Sequence, residues 1–249
     1  MQLRSLTVTT PESVSAPIFT GHLVAAVPLG GTEKKRGAGG GHRHELLALG
    51  TVVSIGRPEW WDLRKVLQPT EGNASPLLRD LLTRYDLFLV QLVCSLTPQD
   101  KSTITSAEFS ASLISSQDTS NAPVAHDLFP SNVSRSEERN VKMKLSPSLK
   151  FQKLEAGLGE IGLDMEYKVL IPEVTAFGLG EASFGWILTG SSQWPVVGVR
   201  CFYAVVKRLI NRERISVAIN LYADIETPRG LFRCALSKEV QQSLICHIG

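Results

Sequence analysis

From residue 87 onward the apolar positions recur every second residue. Phe88, Val90, Leu92, Cys94 and Leu96 share one face of an extended segment. After Pro98-Gln99-Asp100-Lys101, a second segment places Thr105, Ala107, Phe109, Ala111 and Leu113 against Ser106, Glu108, Ser110 and Ser112. Successive side chains of a strand point to opposite faces, so alternation reads as β structure half exposed to water. The two segments therefore predict an antiparallel hairpin over Leu87–Ile114 with one solvated face.

The same period returns at Val141, Met143 and Leu145, at Leu163, Met165, Tyr167 and Val169, and at Ala182, Phe184, Trp186 and Leu188. Val199–Val206 is apolar on both faces, which predicts a central strand. Ile215, Val217, Ile219, Leu221 and Ile225 form one face opposite Ser216, Asn220 and Asp224, and Phe232, Cys234 and Leu236 close the series. Turns are expected at Asn211–Arg214 and at Thr227-Pro228-Arg229-Gly230, where Pro and Gly suit a type I turn.

Helical spacing is confined to residues 58–86. Ser75 is a good N-cap, Pro76 suits the first helical position, and Leu77, Leu78, Leu81, Leu82 and Tyr85 recur at three and four. A shorter helix is predicted after Pro58, through Trp60, Trp61, Leu63, Val66 and Leu67. Upstream, the apolar runs Ile18–Leu29 and Leu46–Ile55 flank a Gly-rich basic stretch, Gly30–His44, and predict a long-looped hairpin. Residues 115–140 are polar and predict a long loop, docked onto the core by Leu128-Phe129.

These elements specify a mainly β chain: a two-sheet antiparallel β-sandwich with an N-terminal hairpin and one or two short helices packed at its edge. There is no strand–helix–strand rhythm, which argues against a doubly wound nucleotide fold. The chain divides into a hairpin-plus-helix segment, 1–86, and a sandwich, 87–249, expected to form one continuous unit. The predicted core is Phe88, Val90, Leu92, Phe109, Met143, Met165, Tyr167, Phe184, Trp186, Tyr203, Val205, Val217, Ile219 and Leu221.

Composition narrows this picture only slightly. The 249 residues are 43% hydrophobic and 20% charged, enough to bury a core. A formal charge of +2 is too small to announce nucleic acid by bulk charge. No apolar run reaches transmembrane length. The four cysteines, Cys94, Cys201, Cys234 and Cys246, lack CxxC spacing. The first three sit in apolar strands, where a thiol behaves as a small hydrophobe. No secretory signal is recognised at the N-terminus, so the expectation is an intracellular, cytoplasmic protein with possible peripheral membrane association.

Candidate chemistry concentrates in the Gly-rich stretch. Lys34, Lys35, Arg36, His42, Arg43 and His44 could contact an anion, RNA or an acidic membrane surface beside free glycine amides. The bland alternative is a hairpin loop kept soluble by charge. His42 and His44 with Glu45 are weak metal candidates, because no third ligand stands at a motif spacing. Trp60 and Trp61 are candidate interface residues, against a bland reading in which both pack under the sandwich edge. Asp224 and Glu226 share a strand face as paired acids might, but their place before a turn suits solvated residues. No GxSxG nucleophile elbow is present.

No catalytic residue and no cofactor are assigned. The first functional expectation is a non-catalytic interaction or assembly module, self-associating or binding a protein partner. The alternatives are a matrix-like or coat-like protein contacting RNA or acidic lipid through the basic loop, aided by Arg135, Arg139, Lys142 and Lys144, and a metal-dependent enzyme. A membrane-inserting β-hairpin is a remote further one.

Overall fold

The computed structural model describes residues 6–9, 17–29, 51–67, 76–99, 101–115, 122–133, 140–145, 148–153, 163–168, 173–190, 195–210, 214–228 and 230–249. In its first half the strands are β1 (Leu6–Thr9), β2 (Pro17–His22), β3 (Val24–Leu29), β4 (Val52–Gly56), β5 (Glu59–Asp62), β6 (Tyr85–Thr97) and β7 (Thr103–Ile114), with helices α1 (Leu63–Leu67) and α2 (Pro76–Arg84). There follow β8 (Val124–Phe129), β9 (Asn132–Val133), β10 (Asn140–Leu145), β11 (Phe151–Lys153), β12 (Leu163–Lys168), β13 (Glu173–Phe177) and β14 (Ser183–Thr189). The last elements are β15 (Gly198–Leu209), β16 (Ile215–Thr227), β17 (Gly230–Ala235), α3 (Lys238–Ser243) and β18 (Ile245–Ile248).

Two large antiparallel sheets carry the molecule, as the alternation predicts. One has eight strands in the order β3-β17-β16-β7-β14-β13-β9, with β18 also on β16. The other has six in the order β2-β4-β6-β15-β8, with β5 also on β6. A separate four-stranded sheet runs β1-β12-β10-β11, and β1 lies parallel to β12.

Between the large sheets the core is aromatic. Trp186 of β14 stacks on Phe202 of β15 at 4.7 Å, and Phe109 of β7 meets the same ring at 5.6 Å. The Trp186 indole N–H donates to the Pro130 carbonyl at 2.9 Å, so the largest buried side chain leaves no stranded donor. β16, and β7 from Ala107 on, bury every second residue, and in β14 the buried side chains Phe184, Trp186 and Leu188 alternate likewise, which explains the alternation.

By contrast, β6 and β15 are buried on both faces. Leu92 and Phe202 face the eight-stranded sheet, whereas Gln91, Cys201 and Tyr203 occupy the opposite face. There Gln91 Nε2 donates to Cys201 Sγ at 3.0 Å and to Tyr203 Oη at 3.1 Å. Phe129 and Phe151 extend that aromatic layer, with ring centroids 5.6 Å apart and Phe129 6.4 Å from Tyr203. Val199–Val206 is thus the central strand its composition predicts.

Eleven predicted core residues are buried: Phe88, Val90, Leu92, Phe109, Phe184, Trp186, Tyr203, Val205, Val217, Ile219 and Leu221. Met143, Met165 and Tyr167 lie on β10 and β12, and their side chains fall outside those described. Cys94, Cys201 and Cys234 are buried, as their apolar context predicts.

Four local expectations are corrected. The Leu87–Ile114 pair is not a hairpin: β6 pairs with β4, β5 and β15, whereas β7 pairs with β14 and β16. Between Thr97 and Thr103 the chain therefore passes from one sheet to the other, and β6 has no solvated face. The Ile18–Leu29 run breaks at Leu23: β2 pairs with β4 as the hairpin reading requires, but β3 pairs with β17 in the other sheet. Glu59–Asp62 is a strand rather than the start of a helix. Within the polar stretch 115–140, β8 forms a full strand on β15, with Leu128 and Phe129 buried.

Candidate functional site

The predicted anion-contact residues Lys34, Lys35, Arg36, His42, Arg43 and His44, and Glu45 with them, lie outside the described residues. Among the described residues, no three His, Cys, Asp or Glu side chains converge as a metal ion would require. The interface candidates Trp60 and Trp61 are described, and the structure separates them.

Both lie on β5, which continues the line of β4 along the same side of β6. Ile55 of β4 stands opposite Cys94, and after Arg57-Pro58 the register resumes with Glu59 opposite Gln91 and Trp60 opposite Val90. β2 covers the outer side of β4 as far as Gly56. Among the described residues no strand covers the outer side of β5. By strand alternation Trp60 shares the face of Phe88 and Val90, and Trp61 shares that of Leu89; Trp61 packs against the core, and Trp60 is 39% exposed. Trp60 sits edge-on to buried Phe88, with centroids 5.7 Å apart and planes at 83°. Trp61 is thus half-buried against the core and Trp60 partly exposed.

The platform under Trp60 is clamped by charge. Asp86, at the start of β6, meets Arg208 Nη2 at 3.3 Å and Arg64 Nη2 at 3.6 Å. Arg64 also donates to the Leu82 carbonyl at 2.6 Å, satisfying an acceptor in the last turn of α2. The Arg208 guanidinium lies 5.2 Å from the Phe88 ring, so the ring that supports Trp60 is held by a cation. Asp62 Oδ1 accepts from the Arg64 backbone N–H at 3.0 Å, turning the chain from β5 into α1.

The opposite edge of the same sheet is closed. On the free side of β8, Ala125 N donates to Glu181 O at 2.9 Å, and Gly180 N donates to Ala125 O at 2.8 Å. His126 Nε2 bonds the Ser148 carbonyl at 2.8 Å, and Asp127 accepts from the Phe151 N–H. Partial burial raises the Asp127 pKa above the usual carboxylate value; the Phe151 and Leu128 amides oppose the shift. The β13–β14 turn that reaches β8 needs Gly178: at φ +76° a Cβ there would lie 2.1 Å from Ser183 O.

A second feature lies on the outer face of the eight-stranded sheet. Ser106, Ala107, Glu108, Ile187, Tyr222, Ala223, Asp224 and Arg233 line a cleft of about 110 Å³. The register shifts between Asp224 and Ile225, and the bulge opens the cleft. Arg233 crosses it: Nη2 is 3.4 Å from Glu108 Oε2, Nη1 is 3.9 Å from Asp224 Oδ1, and the guanidinium lies 5.5 Å from the Tyr222 ring. Asp224, predicted as a solvated acid, is half-buried there, while Glu226 is exposed. Asp224 Oδ1 is shielded from solvent and accepts no hydrogen bond from the described residues. The turn at Thr227–Gly230 already implied this pairing: once Thr227 stands opposite Gly230, counting back puts Asp224 opposite Arg233.

No protein-family model and no curated protein sequence matches the chain. Among solved structures, it overlaps Clostridium perfringens delta-toxin with a TM-score of 0.39 and 8% identity, covering 80% of this chain and 94% of that one. A chain described as a pore forming protein overlaps with a TM-score of 0.40 and 6% identity, covering 79% and 90% respectively. Both overlaps are loose, and the sandwich stands on its own strand register. No described helix is long and apolar enough to cross a membrane.

Proposed function

We propose that this protein is a non-catalytic β-sandwich module that assembles through the β5 edge, pairing with a second copy or with a strand of a protein partner. One observation carries this reading: Trp60 stands exposed on a strand whose outer backbone groups have no described strand beside them. An unpaired edge is a template for strand addition, and main-chain hydrogen bonds along it supply register. An aromatic anchor on a rigid platform is the usual centre of binding energy. The Asp86 clamp holds that platform, and the sheet's other edge carries contacts from its own chain at Ala125, His126 and Asp127.

The test is light scattering on the purified protein over a range of concentrations, repeated for Trp60→Lys. The expected result is a defined oligomer that dissociates in the variant while its far-ultraviolet circular dichroism is unchanged. For a partner other than a second copy, Trp60→Lys abolishes co-purification of that partner. A wild-type protein whose association is indifferent to Trp60→Lys overturns the reading.

A further inference from the structure

We propose that two copies of this protein join in a half-lap: β5 of each copy adds to the open edge of β18 in the other, and the two Trp60 rings meet on the two-fold axis. The proposal rests on β5 as the assembly edge and names what that edge meets.

The argument begins with a missing strand. Trp60 shares the face of Phe88 and Val90, which is the face turned toward the eight-stranded sheet. It is still 39% exposed. The cause is the position of β18, where the eight-stranded sheet ends at this level. Just past β18, Gly249 lies over β6 and β15: a Cβ there would stand 3.1 Å from Phe88 Cζ and 3.2 Å from Arg208 Nη2. β5 pairs with the outer side of β6, so it projects one strand beyond β18. Burial raises the Cys246 pKa and the Arg57 cation opposes the shift, so β18 also runs near the link from β4 to β5.

The edge of β18 is open. Among the described residues no strand lies on its outer side. The Ile219 N–H donates to the Leu244 carbonyl at 3.2 Å, and bonded pairs alternate along an antiparallel ladder. Cys246 and Ile248 therefore turn their backbone groups to β16, whereas Ile245 and His247 turn theirs outward. A strand laid along that edge would cover Trp60.

A second copy supplies the strand. β5 projects by one strand and the place beside β18 lacks one, so the two steps interlock when one copy is turned over onto the other. Packed sheets lie about 10 Å apart, which leaves room for two indoles, one from each β5. Two-fold symmetry makes the contact reciprocal. Both strands run toward Phe88, with Asp62 opposite it and Gly249 against it, so the new pairs are parallel. Charge favours β18 over a second β5 as the neighbour. Two β5 strands side by side would bring Glu59 and Asp62 of both copies into one joint, and adjacent like charges destabilise a sheet. β18, Ile-Cys-His-Ile, carries no carboxylate. Asp62 keeps Lys65 at 3.8 Å as its counterion.

The experiment is sedimentation equilibrium on the full chain, with hydrogen exchange read by mass spectrometry above and below the dissociation constant. The expected result is a dimer in which residues 59–62 and 245–248 both gain protection. His247→Pro removes an outward N–H and spares the β16 ladder, a place where an edge strand tolerates proline. It should weaken the dimer by about tenfold or more with unchanged far-ultraviolet circular dichroism, because each dimer loses two main-chain hydrogen bonds. His247→Ala keeps the N–H and should dimerise like the wild type. The wild-type exchange pattern tests the same pairing without any variant. A monomer at every concentration, protection confined to 59–62, or equal dimer affinity in His247→Pro and His247→Ala overturns the proposal. The last two outcomes leave the β5 edge standing, since loss of association in Trp60→Lys tests that edge separately.

Discussion

Asp127 shows how one partly buried carboxylate makes the closed edge of β8 sensitive to pH. Its oxygen accepts the Phe151 N–H, while partial burial raises its pKa. A carboxylate whose folded pKa lies above its unfolded value binds the proton more tightly when folded, so its contribution to stability is fully present below the unfolded pKa. That contribution is lost as pH rises through the folded pKa. The charged groups acting on Asp127 are His126 and Lys150, which both favour the ionised form, and desolvation outweighs them. Asp127→Asn keeps an acceptor for Phe151 and removes the titration. Urea unfolding of both proteins between pH 7 and pH 4 should show the wild type gaining stability relative to the variant as pH falls. A constant difference across that range would mean that Asp127 is not held in the protonation balance described. The thiols obey the same physics: burial pushes Cys94 up to about 12 and Cys201 to about 11, which makes both inert nucleophiles at neutral pH.

At the scale of elements, Asp86 decides how β5, α1 and α2 are attached to the sheet. Its side chain is 21% exposed and its partner Arg208 only 10% exposed, so removing the carboxylate strands a cation in a nearly dry place. Asp86→Ala should cost about 3 kcal/mol, because breaking one side of a buried pair leaves an uncompensated charge. Arg208→Leu added to Asp86→Ala should recover part of that loss, since the stranded charge is then gone. Denaturant melts of the two variants measure this; a double variant no more stable than Asp86→Ala alone would assign the cost to something other than Arg208. Period-two alternation made β7, β14 and β16 legible in the sequence, as it did the two-sided burial of β15. Strand pairing was not legible, because Pro98–Lys101 has the composition of a hairpin turn and serves equally well for a step between sheets. The helical spacing of Leu63, Val66 and Leu67 extends the predicted helix back over Trp60 and Trp61, although the helix begins only at Leu63. The cleft is not legible for a related reason: the Thr227–Gly230 turn sets Asp224 opposite Arg233, but Ser106, Glu108 and Ile187 join them only through the two long-range pairings of β7 with β14 and β16.

For the whole molecule the open question is which surface drives association, and salt separates the two candidates. The chain carries a formal charge of only +2, so no long-range field dominates its encounters. Association through β5 would rest on main-chain hydrogen bonds and burial of Trp60, neither of which releases counterions. Contact of RNA with the basic stretch containing Lys34, Lys35, Arg36 and Arg43 would release them. Neutralising four phosphates on duplex RNA or DNA would weaken binding by roughly three to four orders of magnitude for each tenfold rise in salt, and somewhat less on a single strand. The prediction is therefore an oligomer, or a protein complex, whose dissociation constant changes by less than about tenfold between low and high salt. It should also be unaffected by added RNA. Light scattering at both ionic strengths, with and without a generic RNA, reads this directly. Steep loss of association at high salt, or RNA-dependent growth in particle mass, would move the binding surface from the β5 edge to the basic stretch. The Trp60 platform would then be only a well-packed corner of the sandwich.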